Sequence, residues 1–189
     1  PELQPQIEKL AELKLPFVLS ATQWESLLTN DPGYMSLPAE KNPNVVELDG
    51  KIKKAVSPFG PIEPWREVGR TWTDNAGMKQ LQQLYPDPPL VIFLSNNEHG
   101  KLRWTQVETS KRYVKKYGKG KEDDFKRKVV GDGWIERYRA LQEGMREGLA
   151  NETWKKNAIF VGYGAFGLEH FGRWGGWRNY SLCSPGRLD

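Results

Sequence analysis

A carboxylate that directly follows an apolar run is the residue best placed for chemistry in this sequence. Residues 90–94 are all aliphatic or aromatic, which predicts a buried strand, and Glu98 comes just beyond its carboxyl end. A carboxyl group that stays protonated near neutral pH can act as a general acid in cleaving a glycosidic bond. A neighbouring aromatic side chain such as Trp104 raises the pKa of a carboxyl group by desolvating it. We therefore predict that Glu98 is a catalytic acid/base.

The tryptophans point to a ligand with flat apolar faces. The chain has eight of them, and most lie in polar or glycine-rich stretches rather than among aliphatic residues. Such residues predict a cleft that binds sugars or nucleobases. The tryptophans in this class are Trp24, Trp65, Trp72, Trp104, Trp174 and Trp177.

The pair Asn97–Glu98 after an apolar strand resembles the Asn–Glu pair that ends the fourth barrel strand in clan A retaining glycoside hydrolases. The resemblance covers strands 2 to 5 of such a (β/α)8 barrel. It implies that Glu98 is the acid/base and that Asn97 hydrogen-bonds the sugar 2-hydroxyl. It also implies hydrolysis of β-linked poly- or oligosaccharides with retention of configuration, by a secreted or periplasmic protein. The alternatives are a non-catalytic carbohydrate-binding or degenerate barrel piece, and a binder of single-stranded nucleic acid.

The same resemblance requires a second carboxylate, the nucleophile, after the seventh strand. The chain is expected to supply strands only up to the fifth, so the fragment alone is predicted to be inactive. It would need the rest of the barrel from missing chain or from a partner chain. Glu25, Glu63 and Glu169 are the substitutes within the chain, although each fits a substrate contact or an ion pair better.

Other candidate substrate contacts share a position after a predicted strand. Arg66, together with Arg70, suits an acidic or sulfated sugar, because a guanidinium group pairs bidentately with such anions. A structural clamp is the alternative for both arginines. Besides Asn97, the predicted substrate-binding residues are Gln23, Trp24, Glu25, Trp65, Arg66, Trp72, His99, Trp104, Tyr163, His170 and Trp174.

Strands that alternate with helices must position these residues. Apolar runs predict strands at residues 17–21, 54–57, 90–94 and 158–161, parallel and adjacent in that order, with both faces buried in the clearest cases. The predicted fold is a partial (β/α)8 TIM barrel, since a whole one needs about 250 residues. A doubly wound α/β domain is the alternative.

Helices are predicted at residues 6–14, after a cap at Asp74 or Asn75, and after a cap at Asp132. The stretch from residue 29 to 50 is expected to be a loop, and residues 58–73 a loop rich in tryptophan. Residues 105–131 are predicted to be an insertion within a single domain that spans residues 1–189.

The composition of the chain narrows the classes of site and of partner that can be expected. The single Cys183 cannot form an internal disulfide, and neither histidine has a metal-ligand spacing, so no metal or cofactor is expected. No apolar run reaches the roughly 18 residues of a membrane span. The net charge of +4 comes mostly from residues 111–128, which predict a solvated face, with nucleic-acid binding as the alternative. The chain starts at Pro1 rather than Met, so a missing signal peptide is not informative.

Overall fold

The computed structural model describes residues 3–22, 24–96 and 101–163. At residues 20–22, 24–25, 95–96 and 161–163 the description covers the backbone alone. The helices are α1 (Gln4–Glu12), α2 (Trp24–Asn30), α3 (Pro32–Met35), α4 (Glu63–Thr73), α5 (Ala76–Leu84), α6 (Lys111–Tyr117), α7 (Asp123–Gly148) and α8 (Glu152–Asn157), with a 3-10 helix at Trp104–Thr109. The strands are β1 (Phe17–Thr22), β2 (Asn44–Val46), β3 (Ile52–Val56), β4 (Val91–Asn96) and β5 (Ala158–Tyr163). None of the helices in these ranges is long and apolar enough to cross a membrane.

Three of the four predicted strands form one parallel sheet. β4 lies in the centre, with β1 on one side and β5 on the other, and helical crossovers connect them in chain order. The fourth strand departs from the prediction, because β3 pairs antiparallel with β2 in a separate hairpin. The turn explains this pairing: Gly50 adopts the positive φ of 89° that a tight hairpin turn needs, and its N–H donates to the carbonyl of Glu47.

Helices cover only one face of this sheet in the part of the chain that the structure describes. Residues at alternate positions, such as Phe93 and Phe160, are buried and stack on each other with their ring centroids 5.2 Å apart. The intervening positions are more open, and Val18 is 54% exposed. The expectation that the strands are buried on both faces is therefore wrong for this part of the chain.

Contacts from five helices identify the covered face. Trp72 of α4 meets the ring of Phe93 edge-on at 5.9 Å, and the guanidinium group of Arg146 in α7 lies 4.8 Å above the ring of Phe160. Trp154 of α8 contacts Phe17. Residues of α1 and α5 line a groove beside Leu19, which belongs to the same face. All of these sheet residues occupy the buried set of alternating positions.

The tryptophan-rich stretch is a helix rather than the predicted loop. Its buried residues recur at helical spacing, at Trp65, Val68, Gly69 and Thr73, and they form the face that packs on α7. Polar residues between them hid this period in the sequence. Trp65 is fully buried, and its ring lies 6.0 Å from that of Trp134.

The predicted insertion is also helical. Residues 105–131 form most of the 3-10 helix, all of α6 and the first turns of α7. Asp132 is not an N-cap, because α7 already begins at Asp123, where acidic side chains in the first turn favour the helix dipole. Asp132 instead accepts from Lys128 at 2.6 Å within the helix. The other predicted cap is correct, because Asn75 accepts from the N–H of Met78 at 3.0 Å.

The predicted loop at residues 29–50 holds two regular elements, α3 and β2. Asp31 caps α3 by accepting from the N–H of Gly33. Asn42 is fully buried, and its side-chain amide donates to the carbonyl of Tyr34 at 2.8 Å, so the segment is packed rather than extended in solvent. The helix predicted at residues 6–14 lies two residues earlier, as α1.

Candidate functional site

The carboxyl ends of the three parallel strands meet at one edge of the sheet. Thr22, Asn96 and Tyr163 occupy the last aligned positions of β1, β4 and β5. Neighbouring strands are about 4.8 Å apart, so whatever follows them in the chain starts from a common rim. Ligand sites of parallel α/β folds occur at this edge.

The predicted catalytic pair follows directly from the central strand. Asn97 and Glu98 come immediately after Asn96 in the chain, and Gln23 comes immediately after Thr22. Asn97, Glu98, His99, Gln23, His170, Trp174 and Glu169 lie outside the described residues, and Trp24, Glu25 and Tyr163 are described by their backbone alone. The structure therefore gives the positions of the strand ends that these residues follow in the chain.

The β2–β3 hairpin borders this edge. Lys101 forms a parallel bridge with Val56, and the N–H of Leu102 donates to the carbonyl of Val56 at 3.0 Å. Leu102 and Ser57 are both buried. The chain that leaves β4 at Asn96 thus pairs with β3 again at Lys101, five residues later.

Trp104 has a partner that the sequence did not reveal. It opens the 3-10 helix, and the guanidinium group of Arg127 lies 4.3 Å from the centroid of its ring. Arg127 also donates to Asp124 at 2.7 Å. One face of the indole ring therefore carries a cation–π contact from α7, and its role as a substrate contact stays a prediction.

The candidates on α4 lie away from the strand ends. Trp65 is a core residue, so its prediction as a substrate contact is wrong. Trp72 packs its ring against Phe93 inside the covered face of the sheet. Glu63 is exposed in the first turn of α4, and it follows the β2–β3 hairpin rather than a strand of the parallel sheet.

The two arginines on α4 are engaged by carboxylates. The Nε of Arg66 donates to both carboxylate oxygens of Glu147, at 3.0 and 3.1 Å. This hydrogen bond and the charge of Arg66 hold the pKa of Glu147 below its ordinary value. Arg70 pairs in the same way with Glu67. Arg66 therefore links α4 to α7, which favours the clamp alternative for it, whereas Arg70 pairs within α4.

The basic stretch contains structural cations as well as solvated ones. Lys126, Arg127 and Lys128 form ion pairs with acidic neighbours. Arg112 is half-buried and, further along, Arg137 is buried, which the sequence analysis missed. For Arg137 a signal existed, since it lies three residues after buried Trp134 and four before buried Leu141 on the same helix face.

No group of three histidine, cysteine, aspartate or glutamate side chains in residues 3–22, 24–96 and 101–163 is arranged to hold a metal ion. No protein-family model, no curated protein and no solved structure matches this chain.

Proposed function

We propose that this chain forms part of the (β/α)8 barrel of a retaining glycoside hydrolase. The observation that carries the proposal is the one-sided arrangement of the sheet. Strands β1, β4 and β5 are parallel and neighbour each other in chain order, and the helices contact one face. A barrel has this arrangement, with helices outside and side chains filling the interior. A doubly wound domain has helices on both faces and a reversal of strand order.

The open face of the sheet has the composition expected of a barrel interior. Val18, Ile92 and Ile159 lie side by side in the register, and all three are branched aliphatic residues. Layers of such residues from neighbouring strands fill the interior of a barrel. The proposal therefore requires further strands, and a second carboxylate as nucleophile, from outside the described residues.

Glu98 is the proposed acid/base. It follows the central strand at the carboxyl edge, where catalytic residues of such barrels occur. Asn97 is proposed to hydrogen-bond the sugar 2-hydroxyl, and Gln23 and Tyr163 belong to the adjacent strand ends. The substrate is a β-linked poly- or oligosaccharide, and cleavage proceeds through a covalent glycosyl–enzyme intermediate.

The test is Glu98→Gln in the full-length protein, with Glu143→Gln on the exposed side of α7 as the matched control. Glu98→Gln should slow hydrolysis of natural substrates by about 10²–10⁴-fold, the usual size of a general-acid contribution. Activated aryl β-glycosides need little protonation of the leaving group, so their first step should suffer much less. Added azide should restore turnover and yield a β-glycosyl azide, because the covalent intermediate still forms.

Two results would overturn the assignment. One is a kcat for Glu98→Gln within about twofold of the parent, which is below any general-acid effect. The other is a loss of rate as large in Glu143→Gln as in Glu98→Gln, which would mark a general defect of folding. Saturable carbohydrate binding without hydrolysis by the full-length protein would instead identify a non-catalytic barrel.

A further inference from the structure

A second site lies between α6, α7 and the turn at Pro58 and Phe59, which follows β3. It is a cavity of about 140 Å³, which we call the α6–α7 cavity. This is smaller than the roughly 300–1,000 Å³ of pockets for drug-sized ligands, and suits a group of a few atoms. Its charged lining residues are Arg112, Lys116, Asp132, Glu136 and Arg137.

Both carboxylates of the lining already have cationic partners. Asp132 accepts from Lys128 at 2.6 Å, and Glu136 accepts from Nη1 of Arg137 at 2.8 Å. Their negative charge is therefore largely compensated within α7, where the two pairs are formed. The positive charge of Arg112 and Lys116 remains on the opposite wall.

Arg112 holds its charge without a carboxylate partner among the residues that the structure describes. Its guanidinium group donates to the carbonyl of Asn44 at 2.9 Å and to the carbonyls of Ala39 and Asn42. Carbonyl oxygens satisfy the N–H groups but bring no negative charge. Burial and the nearby Arg137 hold the pKa of Arg112 below its usual range, and the charge of Glu40 offsets this only in part.

Arg137 adds a second incompletely satisfied cation. Its side chain is only 7% exposed, and it donates to the carbonyls of Gly133 and Gly60 as well as to Glu136. Its Nε is buried and has no partner within the described part of the chain. Buried polar groups normally have partners, so an unpaired one indicates either strain or a missing ligand.

We propose that the α6–α7 cavity binds a small oxyanion: sulfate, phosphate or the carboxylate of a small acid. The Nε–H of Arg137 has no partner among the described residues and can donate to an anion oxygen, a strong charge-assisted hydrogen bond. The Nη groups of Arg112 already donate to carbonyls, so Arg112 contributes mainly its charge. Lys116 is exposed at the opening and supplies a further mobile charge. Binding would add negative charge beside Arg112 and Arg137, where that of Glu40 and Glu136 offsets the cost of burial only in part. The site does not depend on the proposed glycosidase activity.

The proposal is tested by calorimetric titration of the full-length protein with sulfate, phosphate and acetate, each compared with chloride at equal ionic strength. The separate titrations also distinguish the three anions from one another. At least one of them should bind saturably. Lys116→Glu should weaken that binding by at least about tenfold, which corresponds to about 1.4 kcal/mol. Lys115→Glu is the matched control, because it makes the same charge change one residue earlier in α6 and does not line the cavity. Asp132→Asn, which removes a negative charge from the wall, should tighten binding.

Three results would overturn the oxyanion site. The first is that none of the anions binds more than chloride does at the same ionic strength. The second is equal weakening by Lys115→Glu and Lys116→Glu, which would mean that general surface charge attracts the anion. The third is weaker or unchanged binding in Asp132→Asn. Because no step uses carbohydrate, none of these results bears on Glu98.

Discussion

Replacing Gly144 with alanine tests how closely α4 and α7 approach each other beneath the sheet. A Cβ atom built at Gly144 lies 1.9 Å from the carbonyl oxygen of Arg66 and 2.8 Å from its carbonyl carbon. Ordinary contact with a Cβ atom begins at 3.4 Å, so the two atoms must separate by 1.5 Å (3.4 minus 1.9). Both contacts are to backbone, and no side-chain rotation can relieve them. The helices themselves must move apart.

The free-energy cost of Gly144→Ala depends on the packing that this movement of the helices disrupts. Overpacking a well-packed interface costs about 1–3 kcal/mol, occasionally more, and here the fully buried rings of Trp65 and Trp134 lie in the same interface. Alanine recovers about 1 kcal/mol through its higher helix propensity. Because both contacts are to backbone, we place the overpacking cost at the top of its range, about 3 kcal/mol or more. The net destabilisation is then about 2 kcal/mol or more, which lowers the melting temperature by at least about 4–8 °C for a chain of this size.

Urea unfolding, followed by circular dichroism and tryptophan fluorescence, measures this difference. The matched control is Gly77→Ala in α5, where the nearest neighbour of the added Cβ is the side-chain oxygen of Asn75 at 3.3 Å. That side chain can shift, so the control should stay within about 1 kcal/mol of the parent. If Gly144→Ala is no more destabilising than Gly77→Ala, the close backbone contact between α4 and α7 is wrong.

Two further substitutions test local interactions. Asn75→Ala removes the N-cap that accepts from the N–H of Met78 and should cost about 1 kcal/mol in urea unfolding; a change below the error of the measurement would argue against the cap. Arg66→Gln should raise the pKa of Glu147 toward its ordinary value, since the hydrogen bond and charge of Arg66 lower it. In the parent protein, this lowered pKa stabilises the folded state at every pH above the ordinary carboxyl pKa. The stabilisation is lost as the pH falls through the lowered pKa of Glu147. NMR titration of the Glu147 carboxyl carbon measures the shift, and an unchanged pKa would contradict the pairing.

The strands of the parallel sheet were predictable because their signal is local. Each begins with at least three consecutive apolar residues that follow a proline or polar residue, as at residues 90–94, and the structure places β1, β4 and β5 at these runs. The N-cap at Asn75 was predictable for the same reason, since a cap and the N–H that it accepts from are three residues apart. The position of Glu98 after the central strand follows directly from the sequence.

The environment of each tryptophan and arginine was not predictable in this way. Trp65 has polar neighbours in sequence, yet it is buried because α7 packs its own tryptophan against it. The sequence predicts Arg66 as a sugar contact or a structural clamp and Arg127 as part of a solvated face, and only the fold brings Glu147 and Trp104 to them. Such contacts join residues far apart in the chain, and composition around one residue carries no information about its distant partner.

The sequence by itself determined the apolar segments, the alternation of strands with helices and the chain position of the candidate acid/base. Only the tertiary structure decided that β3 leaves the sheet for a hairpin with β2, that the helices collect on one face, and that Arg112 and Arg137 line a common cavity. The physical reason is that strand pairing and burial depend on which surfaces meet after the chain closes its long loops. A short apolar strand is compatible with several partners, and the packing of the whole domain selects one of them.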